Sequence, residues 1–291
     1  MSFLHINTMT TLHCIHEGES LHTNNRLKRL ALACKDRMIQ CIHHNSLSEN
    51  FCNITKLQPN DLMYNVTRGS LFLESFYINS PSTTFYVKKP LHATSDIDAS
   101  SLAIMHQSIG LSVPKTIFHN TSDRKLLLQY ANELCGFPIV LKVVGGTLGI
   151  GTMLVTNSAS LFSLADYLVA SGALFIIRQY IEPREVARLI VVGHRVVASN
   201  QKLIADGDFR TTVKNKLPIP KEYSIEAQQL AITATHAANR ETGGVDILFD
   251  NEYKPYLLEV NMPHDFVTTE EVTGIDIAGC MVDHLISKSE I

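Results

Sequence analysis

Two short apolar segments near the end of the chain, each carrying a single acid, most constrain how this sequence can fold. Gly243 to Phe249 has the sequence G-G-V-D-I-L-F, and Tyr256 to Val260 has the sequence Y-L-L-E-V. Apolar runs of this length predict buried β-strands. The polar segment Asp250 to Lys254 between them is typical of a turn. The two strands are therefore predicted to form an antiparallel hairpin.

Such a hairpin brings three oxygen-bearing side chains toward one face. Glu259 and Asn261 are two residues apart on a strand and so share a side, and Asp246 on the neighbouring strand can converge with them. A single acid at a strand end is usually solvated or caps a neighbouring group. Two acids in adjacent apolar strands are harder to explain as packing, because a buried charge is costly unless it is paired or bound to metal. Oxygen ligands suit a hard divalent cation, so the sequence predicts a magnesium site.

A glycine-rich stretch is the second informative feature. Residues 137–155 have the sequence F-P-I-V-L-K-V-V-G-G-T-L-G-I-G-T-M-L-V, in which Lys142 lies in the first of two β-rich runs. The loop between the runs is not a Walker A motif and does not open a helix as a dinucleotide fingerprint does. It is predicted to be a flap whose backbone N–H groups approach nucleotide phosphates beside the lysine. The alternative is a flexible turn with a snorkelling lysine.

The order of predicted elements favours an α/β protein with more than one domain. A strand at Thr10 to His16, a helix at Arg26 to Asp36 and a strand at Met38 to His43 form an α/β beginning, and residues 1–92 are predicted to form one small domain. A chain of 291 residues has room for two or three domains. A long helix from Ser224 to Thr242 is predicted to precede the acidic strands.

Composition narrows the classes of partner. The net charge is -3 without a dense run of Lys or Arg, which argues against a nucleic-acid surface. The six cysteines include no C-x-x-C pair, so no structural zinc site or disulfide framework is predicted, and a cytoplasmic location fits best. The sequence has neither an apolar run of about 18 residues nor a signal-peptide pattern, so we expect no membrane partner and no secretion. Small-molecule partners are therefore expected.

Taken together, these motifs resemble the ATP-grasp carboxylate-amine ligases, and within them the branch of RimK-type glutamate ligases and LysX-type amino-group-modifying ligases. The resemblance runs from about Asn79 to Leu285 and rests on F-P-I-V-L-K, G-T-L-G-I-G, R-Q-Y-I-E, V-V-G-H-R-V-V-A-S, G-D-F-R, G-G-V-D-I-L, L-L-E-V-N and V-T-G-I-D-I-A-G, in that order. It implies an α/β (α+β) ATP-grasp fold. A Rossmann-like domain at residues 1–92 would precede two α+β subdomains, 93–178 and 179–291, that clasp ATP.

The resemblance also implies roles for residues at the motif positions. Lys142 would contact the nucleotide phosphates, and Arg210 would lie near an acyl phosphate. Other nucleotide contacts would come from the flap and from the adenine hinge: Gly146, Gly149, Gly151, Gln179, Tyr180 and Ile181. The magnesium ligands would be Asp246, Glu259 and Asn261. The substrate would meet Arg188, Arg210, Asn261 and Asp265, of which Asp265 would hold an amino group.

Two positions depart from the family pattern. Ala99 stands where the family usually carries a lysine, and Lys88 or Lys89 could take over that contact. Val186 stands where the family has its ribose-binding acid, and Glu185, one place away, is predicted to serve as a nucleotide contact. The segment Met262 to Phe266 resembles the LysX-like branch more than the RimK-like S-P-G turn.

The implied activity is an ATP-dependent ligation with Mg²⁺, or Mn²⁺ in its place, as cofactor. A carboxylate attacks the γ-phosphate to give an acyl phosphate, and an amine then displaces phosphate to form an amide. The expected substrates are amino acids or small peptides. The alternatives are modification of a protein or carrier-protein terminus, and a degenerate nucleotide-binding protein without catalysis. The relatives commonly form dimers or tetramers, so a homo-oligomer is expected.

Overall fold

The computed structural model describes residues 10–54, 56–78, 80, 82–85, 99–145, 149–204, 207–210 and 217–289. Within these ranges the chain forms three β-sheets with helices packed against them. No helix in this part of the chain is both long enough and apolar enough to cross a membrane. The predicted mixture of α and β structure is confirmed.

The N-terminal sheet is parallel, with strand order β2-β1-β3. Its elements are β1 (Thr11–His16), α1 (Leu21–Asp36), β2 (Gln40–Asn45), a short 3-10 turn (Phe51–Asn53), β3 (Leu62–Asn65) and α2 (Leu71–Ile78). Helix α1 begins five residues before the predicted Arg26 because Ser20 caps it: the Ser20 hydroxyl accepts a hydrogen bond from the Thr23 N–H. The strand–helix–strand beginning is confirmed.

The central sheet is antiparallel, with strand order β4-β7-β5-β6. Its elements are α3 (Ala99–Ser108), β4 (Thr116–Ile117), α4 (Arg124–Glu133), β5 (Ile139–Val143), β6 (Thr152–Val155), α5 (Ser158–Ala170) and β7 (Phe175–Gln179). Strands β5 and β6 form the predicted glycine hairpin, in which Lys142 pairs with Thr152. The predicted boundary between residues 178 and 179 falls inside β7, because Gln179 pairs with Ile139.

The C-terminal sheet is the largest, with antiparallel order β10-β9-β8-β11-β12. Its elements are β8 (Glu185–Val192), β9 (Arg195–Lys202), β10 (Ile219–Pro220), α6 (Ile225–Ala237), β11 (Thr242–Phe249), β12 (Pro255–Asn261), α7 (Val267–Thr273) and α8 (Ile277–Ser289). Helix α6 ends earlier than the predicted Thr242, because Asn239 adopts a left-handed conformation with φ of 55°.

The hydrophobic cores link the N-terminal and C-terminal sheets. One buried cluster contains Leu12 and Met63 of the N-terminal sheet together with Ile190 of β8 and Met281 of α8. A second cluster lies between α6 and the other face of the large sheet, and a third fills the central unit. The N-terminal sheet and its helices therefore share their core with the C-terminal part, which places this sheet beside the acidic hairpin.

Candidate active site

The acidic hairpin forms as predicted and gathers its polar side chains on one face. Strands β11 and β12 pair antiparallel, with Asp246 directly opposite Glu259 and Gly244 opposite Asn261. On the other side of β11, Asp246 lies opposite Arg188 of β8. Arg188, Asp246 and Glu259 thus form one row across three strands, and residues opposite each other share a face of a sheet.

Asp246 is buried and is held by two cations. Its carboxylate lies 2.8 Å from Arg188 Nε and accepts hydrogen bonds of 3.2 Å from Arg188 Nη2 and 3.2 Å from Lys202 Nζ. The side chain of Asp246 is only 6% exposed. Burial of this carboxylate is possible because both cations compensate its charge.

Glu259 faces the glycine hairpin. Its carboxylate lies 3.6 Å from Lys142 Nζ and accepts a hydrogen bond of 2.9 Å from the Asn261 amide. Burial alone would raise the pKa of Glu259, but Lys142 and the Asn261 amide, followed by Arg188 and Lys202, outweigh it and lower the pKa to about 2. Glu259 is therefore ionised at neutral pH while about a third of its side chain remains open to solvent.

A fourth cation reaches this site from the N-terminal sheet. Arg68 lies in the loop between β3 and α2, and its Nη2 donates a hydrogen bond of 2.9 Å to Asn261 Oδ1. Three cations, Lys142, Arg188 and Lys202, thus contact the carboxylates of Asp246 and Glu259, and a fourth, Arg68, contacts Asn261 beside them. An excess of cations at a partly open site favours the binding of a polyanion.

The donor set fits a magnesium ion. Two carboxylates and one amide oxygen from Asp246, Glu259 and Asn261 lie on one face, and Mg²⁺ is usually held by one or two carboxylates together with substrate phosphates. Where side chains are described, no group of three or more His, Cys, Asp and Glu residues forms a metal cluster. This site would therefore need a phosphate ligand to complete the coordination and to draw Lys142 away from Glu259.

The structure describes part of the predicted hinge and flap. Gln179 ends β7, and the ring centroids of Tyr180 and Phe209 lie 6.5 Å apart in an edge-to-face arrangement. Gly149 and Gly151 adopt positive φ angles of 74° and 82°, which favour glycine. Gly146, Lys88 and Lys89 lie outside the described residues, and Ala99 is the first residue of α3. Nucleotide contacts by these residues stay a prediction.

Glu185 requires a correction. It lies on β8 three residues before Arg188, and strand alternation points the two side chains to opposite faces of the sheet. The structure buries Glu185 on the α6 face, where Lys221 Nζ and the Tyr223 hydroxyl donate hydrogen bonds to it. Glu185 is therefore separated by the sheet from the acidic face and is dropped from the nucleotide contacts.

Two other predicted residues lie outside the central cluster. Arg210 is exposed and forms a two-point ion pair with Asp208, with Nε to Oδ1 and Nη2 to Oδ2 distances of 3.0 Å. Asp265 stands at the start of α7, where it accepts hydrogen bonds from the Val267 N–H and the Thr268 hydroxyl. Their substrate roles stay predictions.

Sequence reasoning missed four residues of the site: Arg68, Lys202, Gly244 and His264. Gly244 leaves room for its neighbours, because a Cβ atom there would lie 2.3 Å from Arg188 Nη1 and 2.9 Å from the His264 Cβ. His264 is buried, and burial first, then Arg188 and Arg26, lowers its pKa to about 3. The imidazole is thus neutral beside Arg188. Gly244 lies two residues before Asp246 on β11, so strand alternation could have placed it on the same face, but nothing local pointed to Arg68.

Comparison with solved structures identifies the class of fold. The ATP-grasp ligase PsnB, solved with a minimal precursor, superimposes with a TM-score of 0.73 over 96% of this chain and 99% of PsnB, at 15% identity. D-alanine–D-alanine ligase from Bacillus anthracis gives a TM-score of 0.66 over 97% of both chains, at 15% identity. The three sheets therefore form an ATP-grasp fold, as predicted.

The sequence then defines the family within that class. Residues 95–285 match the RimK-like ATP-grasp domain, so the chain belongs to the RimK-like ATP-grasp family. A probable alpha-L-glutamate ligase from Enterobacter sp. (strain 638) is 33% identical over 178 residues, which is 60% of this chain and 58% of that protein. The ribosomal protein bS6–L-glutamate ligase of Escherichia coli K12 is 32% identical over 177 residues, again 58% of its length. The match thus spans a little over half of each of these relatives.

Proposed function

We propose that this chain is an ATP-dependent carboxylate-amine ligase that forms an amide through an acyl phosphate. The observation that carries the proposal is the row of Arg188, Asp246 and Glu259, flanked by Lys142 from the glycine hairpin. This arrangement supplies oxygen ligands for a divalent cation and an excess of positive charge for phosphates. Membership in the RimK-like family supports the same activity.

The chemistry asks the protein mainly to position charges. A carboxylate oxygen attacks the γ-phosphorus, the bond to the β-phosphate oxygen breaks and ADP leaves. The amine nitrogen then attacks the acyl carbon, inorganic phosphate leaves and the nitrogen loses a proton. Magnesium held by Asp246, Glu259 and Asn261 would offset negative charge on the phosphates.

The protein's own side chains support both steps. Lys142, once the phosphates replace Glu259 as its partner, would stabilise the charge that develops on them. The Arg188 guanidinium, fixed by Asp246, would present its outer N–H groups to an anion. The glycine hairpin would cover the phosphates and exclude the water that hydrolyses an acyl phosphate.

The choice of cofactor has support from the solved neighbours. PsnB has been solved with Mg and ADP, and the Bacillus anthracis D-alanine–D-alanine ligase with ATP. We therefore propose MgATP for this chain. Mn²⁺ is a weaker candidate, because its only support is that carboxylate and amide oxygens can also bind Mn²⁺.

The names of the relatives support L-glutamate as the amine substrate and a peptide or protein terminus as the carboxylate. Two relatives are named as glutamate ligases, one of them acting on ribosomal protein bS6. PsnB was solved with a precursor peptide, and a Chryseobacterium gregarium ATP-grasp ligase with a leader and core peptide. Of the two expected acceptors, a peptide or protein terminus therefore has more support than a free amino acid.

ADP release with MgATP tests this proposal. L-Glutamate and a set of other amino acids would each be combined with short peptides, and Glu259→Gln would be compared with Glu252→Gln. Glu252 is an exposed acid in the turn of the same hairpin and serves as the matched control. We expect release that needs both substrates and falls about 100-fold in Glu259→Gln, equal to about 2.8 kcal/mol, but not in Glu252→Gln.

The opposite result is equally clear. Wild-type protein that shows no magnesium-dependent ATP binding by calorimetry would contradict the ligase proposal and a nucleotide-binding role alike, and would favour a scaffold protein that has lost its nucleotide site, as the departures at Ala99 and Val186 suggest. Nucleotide binding without ADP release on any pair of small substrates would instead favour a protein terminus as the missing carboxylate.

A further inference from the structure

The loop that carries Arg68 is held firmly at the carboxyl end of the N-terminal sheet. The Thr67 N–H donates to the Asn65 side-chain oxygen at 3.1 Å, and the Thr67 hydroxyl accepts from the Glu17 N–H at 2.9 Å. The same hydroxyl lies 3.0 Å from the Ser70 hydroxyl. Asn65 and Ser70 are both buried. The backbone beside Arg68 is therefore fixed to the last residue of β3 and to the segment that follows β1.

Few of the N–H donors of the Arg68 guanidinium have an acceptor among the described residues. It donates one hydrogen bond of 2.9 Å to Asn261 Oδ1, a neutral amide oxygen, although a guanidinium has five N–H donors. In the described ranges no acid forms an ion pair with Arg68, whereas Arg188, Lys202 and Lys142 each have one. Burial and then the charge of Arg68 lower the pKa of the nearby Arg240 to about 10. Arg68 and Arg240 therefore lie close enough for their charges to interact, although Glu74 partly offsets the charge of Arg240.

Magnesium binding would free this side chain. Asn261 Oδ1, the acceptor for Arg68, is one of the proposed magnesium ligands. A guanidinium and a divalent cation at the same oxygen would repel each other. Loading of the site with a magnesium nucleotide therefore favours release of Arg68 from Asn261, with its N–H donors directed into a site that already contains the nucleotide.

We propose that Arg68 binds a carboxylate of the substrate in the nucleotide-loaded site, so that the N-terminal unit selects an acidic substrate. An exposed guanidinium that pairs with no acid among the described residues, on a loop fixed by hydrogen bonds, is suited to two-point recognition of a planar carboxylate. The inference rests on the proposed ligase function. The carboxylate has two sources, the free carboxylates of the amine substrate and the reacting carboxylate, and the experiment separates them.

Binding to protein loaded with MgAMPPNP provides the test. Arg68→Ala and Arg68→Lys would be compared with wild type and with Arg124→Ala, since Arg124 is an exposed arginine of α4 paired with Asp166 at 3.7 Å. Calorimetry would first measure MgAMPPNP itself, and then L-glutamate, L-glutamine and L-glutamic acid 1-amide. A dipeptide and its C-terminal amide would probe the reacting carboxylate.

We expect wild-type MgAMPPNP affinity in Arg124→Ala. Because Arg68 adds to the positive charge of the site, Arg68→Ala should lower MgAMPPNP affinity, but by much less than it lowers affinity for a carboxylate probe. Arg68→Ala should weaken one carboxylate probe about 10- to 100-fold, the range for a hydrogen bond to a charged group. The uncharged amide of that probe should bind wild type and Arg68→Ala with the same affinity. The carboxylate that Arg68 binds is the one whose acid and amide forms wild type distinguishes and Arg68→Ala does not. Arg68→Lys should recover part of the loss, and Arg124→Ala should behave as wild type.

Three results would overturn the inference. Loaded wild type that binds none of the carboxylate probes would do so, as would Arg68→Ala that binds all of them with wild-type affinity. A loss of MgAMPPNP affinity in Arg68→Ala as large as the loss for the carboxylate would instead make Arg68 part of the nucleotide site. Wild type that binds no MgAMPPNP would contradict the ligase proposal itself, which separates that failure from a failure of the Arg68 assignment.

Discussion

The two faces of the C-terminal sheet both bury acids among cations, but only one face is complete by itself. On the α6 face, Glu185 accepts hydrogen bonds from Lys221 and Tyr223. Burial, and then Glu185, raise the pKa of Tyr223 far above its usual range, so the phenol keeps its proton and continues to donate. One acid, one cation and one neutral donor satisfy each other.

The opposite face is unbalanced. Asp246 and Glu259 contact Lys142, Arg188 and Lys202, Arg68 contacts the adjacent Asn261, and Glu259 remains about a third exposed. A structural cluster needs no surplus of charge, because each uncompensated charge raises the free energy of the folded state. A surplus of cations at an open site is explained by an anionic ligand. The charge balance of a cluster, more than its burial, therefore separates the structural acid Glu185 from the acids that we propose bind a ligand.

The largest expected effect comes from removing one acid from each face of the sheet. Glu185→Ala leaves Lys221 and the half-buried Tyr223 hydroxyl unpaired, and we expect a loss of about 3 kcal/mol of unfolding free energy, at the low end for a broken buried pair because both partners are partly exposed. MgADP affinity should be unchanged. Glu259→Ala should show the reverse, with a loss of stability below about 1 kcal/mol and MgADP binding about 100-fold weaker.

Urea denaturation and calorimetry on the two variants check this prediction. The comparison breaks down if Glu185→Ala weakens MgADP binding as strongly as Glu259→Ala does, or if both variants lose only stability. Either result would mean that the two faces are not functionally distinct.

The sequence was most informative where a contact is local. The acidic hairpin and the glycine hairpin each join strands only a few residues apart, so apolar runs and turn residues were enough to predict them. Alternation along β8 also predicts that Glu185 and Arg188 face opposite sides of the sheet, because they are three residues apart. The error on Glu185 came from motif spacing being followed in preference to strand geometry.

Other features depended on distant parts of the chain. Arg68 and Asn261 are 193 residues apart, and no local pattern marks their contact. Helix α7 was missed because V-T-T-E-E-V-T is rich in β-branched residues with modest helix propensity. It is stabilised by tertiary contacts: Val267, Thr269 and Glu270 are buried, and Glu270 Oε2 accepts a hydrogen bond from the Ala278 N–H.

The next largest effect is expected at two adjacent glycines of β11, one facing each side of the sheet. A Cβ at Gly244 would displace Arg188 Nη1 and His264, whereas a Cβ at Gly243 would meet Val260 Cγ1 at 3.0 Å and Thr235 on the α6 face. Both Gly243→Ala and Gly244→Ala should cost about 1–2 kcal/mol from overpacking. Only Gly244→Ala should also weaken MgADP binding, because it moves Arg188 off Asp246.

Thermal unfolding and MgADP calorimetry on the two variants separate packing from site geometry. Equal nucleotide affinities in Gly243→Ala and Gly244→Ala would show that the position of Arg188 does not matter for the nucleotide. That result would weaken the assignment of the Arg188 face as the functional one.

The smallest expected effect concerns a third acid, Glu241, whose partners are protein side chains. Burial opposes ionisation of Glu241, but His284 and Lys288 outweigh it and lower its pKa to about 2. A carboxyl group with a lowered pKa stabilises the fold above its unfolded pKa of about 4.3, and this stabilisation is lost as pH falls toward the folded value. Since Glu241 and Lys288 are each about a third exposed, solvent screening limits the effect to about 1 kcal/mol.

Wild type should therefore exceed Glu241→Gln by about 1 kcal/mol in unfolding free energy at pH 6, and the difference should shrink between pH 4.5 and pH 3. Urea unfolding at several pH values measures it, and MgADP affinity at pH 6 should be the same in both proteins. A difference that stays constant down to pH 3 would mean that packing of the side chain, and not its charge, stabilises this contact. Glu241 would then fail as an example of a low-pKa acid whose ion pairs serve the fold, in contrast to Glu259, whose charge we assign to a ligand.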